Sequence, residues 1–166
     1  MAAAFRRATE PLNRESGPNP YVLHERLQEV MGRYVGIVRT KGDLETGIKE
    51  LLDLQTEAEL VKVHGASQYN PGWHEAISLR SLLVSSEAVA RAALMREESR
   101  GAHTRLDFES ERDEWLAVNV VVRRGADDSM EVVKEKRPDP PPELAAIAHA
   151  SIEDLESGRP GEKSGV

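Results

Sequence analysis

At 166 residues the chain is long enough for one domain with its own core, and its lack of cysteine removes disulfides, thiolate zinc sites, iron–sulfur ligation and a catalytic thiol together. Twenty-two Lys and Arg against 29 Asp and Glu leave a formal net charge of −7, which repels phosphate backbones and argues against a nucleic-acid partner. No run approaches the roughly 20 apolar residues of a membrane span, and the opening MAAAFRRATEPLN has no signal-peptide apolar core, so a cytoplasmic protein without direct membrane insertion is expected.

Residues 1–18 begin Ala-rich and continue as PLNRESGPNP, whose prolines and glycine read as a linker arriving from an upstream domain. Asn19 and Pro20 make a helix start, since Asn caps free amides and proline is tolerated in the first turn. Leu23, Leu27, Val30, Met31 and Tyr34 follow at helical spacing, with Glu25, Arg26, Glu29 and Arg33 opposite. TKGDLETG is a turn with Asp43 as the expected N-cap, and a second helix over 43–62 presents Leu44, Ile48, Leu51, Leu52 and Ala58 on one side. After the turn HGASQYNPG, Asn70 and Pro71 repeat the start signal. Residues 72–98 then read as one helix of roughly 40 Å, with Gly101 in its C-cap region. Short loops favour antiparallel neighbours.

The third helix has Leu79, Leu82, Leu83, Ala90, Ala93 and Leu94 on one face and Trp73, Ala76, Ile77, Val84, Ala88 and Met95 on another. Its polar stripe is narrow: Ser78, Ser81 and Ser85 with Arg80, Glu87 and Arg91. A helix apolar over most of its circumference needs cover on several sides, more than two short amphipathic helices supply, so self-association of the isolated chain is expected. Beyond it, WLAVNVVVRR and MEVVKEKR alternate around GADDS and predict a hairpin over 115–137. RPDPPP is a stiff connector, ELAAIAHASIEDL a short final helix, and 156–166 a disordered tail. The expected class is mainly α: a three-helix antiparallel bundle, spectrin-repeat-like, with an appended β-hairpin and a short C-terminal helix, the domain covering 19–155.

His24-Glu25 and His74-Glu75 begin like a zinc-protease helix, but the positions four residues after each histidine are Gln28 and Ser78, so neither pair is a zinc site. His64 and His149 lack neighbouring ligands. MGRYVG lies inside a helical pattern and SGRPGEKSG in the tail, and no dinucleotide fingerprint follows a predicted strand, so no cofactor is expected in this chain. The densest chemistry follows Met95. Arg96, Arg100, Arg105 and Arg112 are interleaved with Glu97, Glu98, Asp107, Glu109, Glu111, Asp113 and Glu114, with His103 between them. Arginines can hold a dicarboxylate and His103 can shuttle a proton, yet mixed charges also satisfy one another. Three readings stay open on the residues alone: a small enzyme using Arg100, His103 and Asp107, an interface, or a solvated helix end.

The succession NPY at 19–21, LQEVMGRYVGIVR at 27–39, YNPGWHEAISLRSLL at 69–83 and REESRGAHTRLD at 96–107 resembles the C-terminal helical domain of succinate dehydrogenase and fumarate reductase flavoprotein subunits. The resemblance runs over about residues 15–155. L-aspartate oxidase shares the VGIVR and ESRG elements but lacks an NPGWH-type turn, and is the more distant relative. After Asp107 the sequence departs from the family pattern: the usual proline and Arg-Asp-Asp run are replaced by residues 108–114, FESERDE.

The resemblance implies that FAD, the histidine that can carry it covalently and the residues that hold succinate or fumarate all lie in preceding domains, and that this segment has no catalytic residue. It also implies a docking role. The expected interface comprises Trp73, His74, Arg80, Arg96, Glu98, Arg100, His103, Arg105 and Asp107, facing the FAD-binding domain and the iron–sulfur subunit. The protein would then sit in the cytoplasm, peripheral to the inner face of the cell membrane through the parent complex. The alternative is a freestanding helical adaptor derived from the same domain.

Overall fold

The computed structural model describes residues 2–157 and begins with a helix, α1 (Ala2–Asn13), where the sequence suggested a linker. Its alanines favour the helix, and long-range bonds hold the segment down. The Val63 amide donates to the Pro11 carbonyl at 2.8 Å, the Lys62 amide to Pro18 at 3.1 Å, and Arg14 Nη1 to Val61 at 2.8 Å. Trp73 Nε1 reaches the Ala8 carbonyl at 2.7 Å, and Leu12 packs on the core.

Three helices form the bundle: α2 (Pro20–Tyr34), α3 (Lys41–Ala58) and α4 (Pro71–Met95). The Asn19 side chain accepts the Tyr21 amide, and Asn70 accepts that of Trp73, so both Asn-Pro starts cap as expected. In α3 the cap is Thr40 rather than Asp43. The threonine hydroxyl accepts the Asp43 amide at 3.1 Å, which places Asp43 in the first turn and moves the helix start forward.

Leu23 and Leu27 of α2, Leu44, Ile48, Leu51 and Leu54 of α3, and Ala76, Leu79, Leu83 and Ala90 of α4 face one another in the core. Each fully buried leucine contributes roughly 1.5–3 kcal/mol by removal from water. Cross-helix pairs fix the directions. Arg26 near the start of α2 grips Glu57 near the end of α3 at 2.6 Å. His24 of α2 meets Glu75 of α4 at 2.5 Å, both near their helix starts. The bundle is therefore up, down, up. Gly47 lets the end of α2 come close, since a Cβ there would lie 2.9 Å from Tyr34 Cβ.

Two features of α4 depart from the sequence reading. Glu87 is buried rather than part of a solvent stripe, its carboxylate accepting from Gln55 at 2.7 Å and Arg91 at 2.6 Å. The helix also stops at Met95, three residues before the expected end. Two short strands that the sequence reading lacked, β1 (Val38–Arg39) and β2 (Thr104–Arg105), pair in parallel, Val38 with Thr104 and Arg39 with Arg105.

The hairpin is present as β3 (Val118–Arg124) and β4 (Met130–Lys136), closed by the Gly125 amide on the Ser129 carbonyl at 2.8 Å. Trp115 belongs to a 3-10 turn over Asp113–Trp115 ahead of it rather than to the first strand. Among the described residues, those up to 135 make one compact unit and those from 136 a second. In the second, α5 (Pro142–His149) and α6 (Ile152–Glu156) replace the single helix expected, because Ser151 and Asp154 form a capping box that restarts the chain. From residue 158 the expected tail lies outside the described residues.

Candidate docking site at the end of α4

The last carbonyls of a helix lack intrahelical partners and carry a partial negative charge. Arg105 takes them. Its Nη1 donates to Ala93 at 3.1 Å, Leu94 at 3.0 Å and Arg96 at 3.2 Å, while Nε and Nη2 grip Asp107 bidentately at 2.8 and 2.7 Å. The side chain is 1% exposed, and its guanidinium carbon lies 4.9 Å from the Phe108 ring centroid. This cap ends α4 at Met95. Asp107 also accepts the Lys41 amide at 3.1 Å, which ties the loop to the start of α3. The Arg105 hydrogen bonds hold its carboxyl at about 2.

Glu98 is the second centre, with 0% of its side chain exposed. It accepts from Arg96, from Arg100 Nε at 3.1 and 3.2 Å, and from the Arg112 amide at 3.0 Å. Burial pushes its carboxyl up, but the bonds from Arg100, the Arg112 amide and Arg96 outweigh burial and hold it at about 2. Arg100 continues outward to Glu111 at 2.8 Å. Gly101, with φ +58°, serves a tight turn in which Arg100 and His103 exchange backbone bonds of 2.8 and 3.0 Å, rather than the helix cap expected of it.

His103 Nδ1 accepts from Arg39 Nη1 at 2.6 Å, and Nε2 donates to the Arg96 carbonyl at 3.0 Å. Burial pushes its pKa down, and the charges of Arg39, Arg105 and Arg96 act in the same direction. The ring is a neutral connector with both nitrogens engaged. That arrangement leaves neither nitrogen free to move a substrate proton.

Six of the nine residues expected at an interface thus meet in one network: Arg96, Glu98, Arg100, His103, Arg105 and Asp107. The other three lie elsewhere on α4. Trp73 and His74 stand at its start, ring centroids 5.7 Å apart, and Arg80 bonds Glu59 of the α3 C-cap at 2.5 Å. His74 and Arg96 are about 30 Å apart along the chain direction at the helical rise. Two residues of the network were not singled out from the sequence. Arg39 stands at the end of the VGIVR motif, where only its place beside a short β-branched run hinted at a strand. Trp115 is 2% exposed, its ring 5.1 Å from the Arg96 guanidinium carbon and 3.8 Å from Lys134 Nζ.

The family described as fumarate reductase flavoprotein C-term matches residues 24–143. The fumarate reductase flavoprotein subunit of Helicobacter pylori (strain J99) is 32% identical over 125 residues, 74% of this chain and 18% of that protein. The succinate dehydrogenase flavoprotein subunit of Coxiella burnetii is 33% identical over 126 residues, 74% of this chain and 21% of its own length. Among solved structures, Mycobacterium smegmatis Sdh1 in complex with UQ1 superposes with a TM-score of 0.83 at 34% identity, covering 93% of this chain and 26% of that one. The chain therefore spans about a quarter or less of the relatives it matches. Sequence, extent and fold agree: the chain belongs to the succinate dehydrogenase and fumarate reductase flavoprotein family, in the part that is its C-terminal domain.

Proposed function

We propose that this chain is the non-catalytic C-terminal domain of a succinate dehydrogenase or fumarate reductase-type flavoprotein, docking on the FAD-binding and substrate domains and supporting succinate–fumarate oxidoreduction in the full assembly. The observation that carries the reading is the family match combined with the state of the charged end. Its arginines and His103 are turned on one another and on helix carbonyls, which suits a rigid docking end better than a substrate site. Trp73, His74 and Arg80 would extend the contact along α4. The iron–sulfur subunit is the further partner through the same assembly, and the cytoplasm, at the inner face of the membrane, its place.

FAD, the cofactor of the family, does not fit the residues present. A groove of about 510 Å³ between α1 and α4 is lined by Ala4, Ala8, Pro11, Ala76, Ile77 and Val84 with Arg7 and Arg80, and has no strand-turn-helix of glycines to cradle a pyrophosphate. The flavin would be held by the body the chain docks on. To test the reading, the chain is added to the flavin-loaded body of a relative cut ahead of the matching segment. Complex formation with increased succinate-dependent dye reduction is expected, and the chain alone should release no flavin on denaturation. Absence of a complex, or stoichiometric flavin in the chain by itself, would overturn it.

A further inference from the structure

Strands β1 and β2 invert the usual sidedness of a small sheet. Successive residues of a strand point to opposite faces, and a sheet lying on a core ordinarily turns its apolar side inward. Here the inward residues are the register partners Arg39 and Arg105. Arg39 bonds His103 and, through Nε, the Val35 carbonyl at 3.3 Å, and Arg105 is buried under the carbonyls of α4. The outward residues are Val38, its partner Thr104, and Leu106. Val38 is 58% exposed and Leu106 55%, and Ile37, which precedes β1, is 66% exposed. The pairing is fixed by the Thr104 amide on Ile37 at 3.3 Å and the Leu106 amide on Arg39 at 2.9 Å. Single exposed aliphatics are ordinary, but two on the same face of a register-fixed ladder, backed by the buried Arg105 and the half-buried Arg39, make a patch.

We propose that this outward face of β1 and β2, centred on Val38 and Leu106, is the surface on which the flavin-binding body of the same protein family seats. The inference rests on the proposed docking function and names the side that makes contact: the ion pairs hold the strands from behind, and the aliphatic side chains meet the partner. The occupant follows from extent and chemistry. This chain covers 26% of the matching succinate dehydrogenase chain, so about three-quarters of that polypeptide lies outside the segment, and the segment is the family's C-terminal part. Apolar area supplies affinity at such contacts while rim charges set register, and Lys41 and Asp107, joined by the Lys41 amide at 3.1 Å, border the patch in the chain.

The experiment measures binding of the full chain to the flavin-loaded body of the Mycobacterium smegmatis Sdh1 relative, truncated ahead of the matching segment. Wild type is compared with Val38→Asp, Leu106→Gln and Val84→Asp, the last being an equally exposed aliphatic on α4 at 53%. Far-UV circular dichroism checks that each variant keeps its helices, as changes at exposed positions should. Weakening by tenfold or more for Val38→Asp and Leu106→Gln, with Val84→Asp near wild type, is expected. Loss by Val84→Asp alone would move the contact to the groove between α1 and α4, refuting this inference while leaving the docking function standing. No binding by wild type would remove the docking function and the inference with it. Self-association of wild type that disappears in Val38→Asp, without binding to the body, would reassign the patch to a second copy of the chain.

Discussion

Removing the Glu98 side chain would leave the guanidiniums of Arg96 and Arg100 without their buried carboxylate and the Arg112 amide without an acceptor. Breaking a buried pair from one side typically costs on the order of 3–5 kcal/mol, so Glu98→Ala should lower stability by about that much in urea titration. Glu98→Gln keeps an acceptor for the amide and should cost less. The pH dependence has a definite sign. Glu98 and Asp107 are depressed from 4.5 and 3.8 to about 2, so their contribution is present above the ordinary carboxylate values and is lost as pH falls through about 2. His103 is depressed from 6.5, so the folded state binds fewer protons than the unfolded one just below that pH, and stability falls as the medium is acidified from 6.5 through the lowered pKa. Replacing His103 with Gln removes the titration, and the slope of unfolding free energy against pH in that window should flatten. An unchanged slope would mean that the ring is not the group responsible.

At the scale of elements, Asn70 does two jobs for α4. Its Oδ1 accepts the Trp73 amide at 3.1 Å, and its Nδ2 donates to the carbonyls of His64 at 2.9 Å and Ala66 at 2.8 Å, binding the preceding loop to the helix start. Asn70→Ala should cost about 2 kcal/mol at the upper end of cap losses, and Asn70→Ser should recover the cap share of about 1 kcal/mol but not the loop bonds. Equal loss in both variants would place the whole effect in the loop. The cap itself was legible from the Asn-Pro pair, as were the hairpin, the buried stripe of α2 and most of that of α3, because each rests on local spacing; in α3, Leu52 is exposed and Leu54 fills the core instead. The early stop of α4 was not. It depends on Arg105, ten residues beyond Met95, returning to take the helix carbonyls, and nothing in the local pattern of MREESRG marks it. Strands β1 and β2 escaped for a related reason: two residues give no period to read, and their partners are 66 positions apart in register. The helix in 2–13 was hidden by its proline, which a last turn tolerates when the Val63 amide and the Lys62 ammonium hold the Pro11 and Leu12 carbonyls. The six clustered site residues were adjacent in sequence and so easily grouped, whereas their partner Arg39 came only with the fold.

Across the whole molecule, exposed aliphatic side chains are scattered, Val22, Leu60 and Leu116 among them, but two groups bear on association: Ile37, Val38 and Leu106 around the small sheet, and Ile77 and Val84 along α4 beside α1. The narrow polar stripe expected on α4 is narrower still once Glu87 turns inward, while α1 covers only the part of the helix near Trp73 and Ala76. Opposing association is the net charge of −7, whose repulsion acts over a Debye length of about 10 Å at 0.1 M salt and about 3 Å at 1 M. Apolar contact is not screened in this way, and sulfate and phosphate salts strengthen it. Raising ionic strength should therefore increase the weight-average mass of the isolated chain in sedimentation equilibrium, with sulfate more effective than chloride at equal ionic strength. Val38→Asp and Val84→Asp, which each add one negative charge, separate the two patches: the variant that restores a monomer at high salt identifies the patch that drives association. A chain that stays monomeric at millimolar concentration in high sulfate would show that neither patch is apolar enough to seek cover, and would weigh against a docking surface at either place.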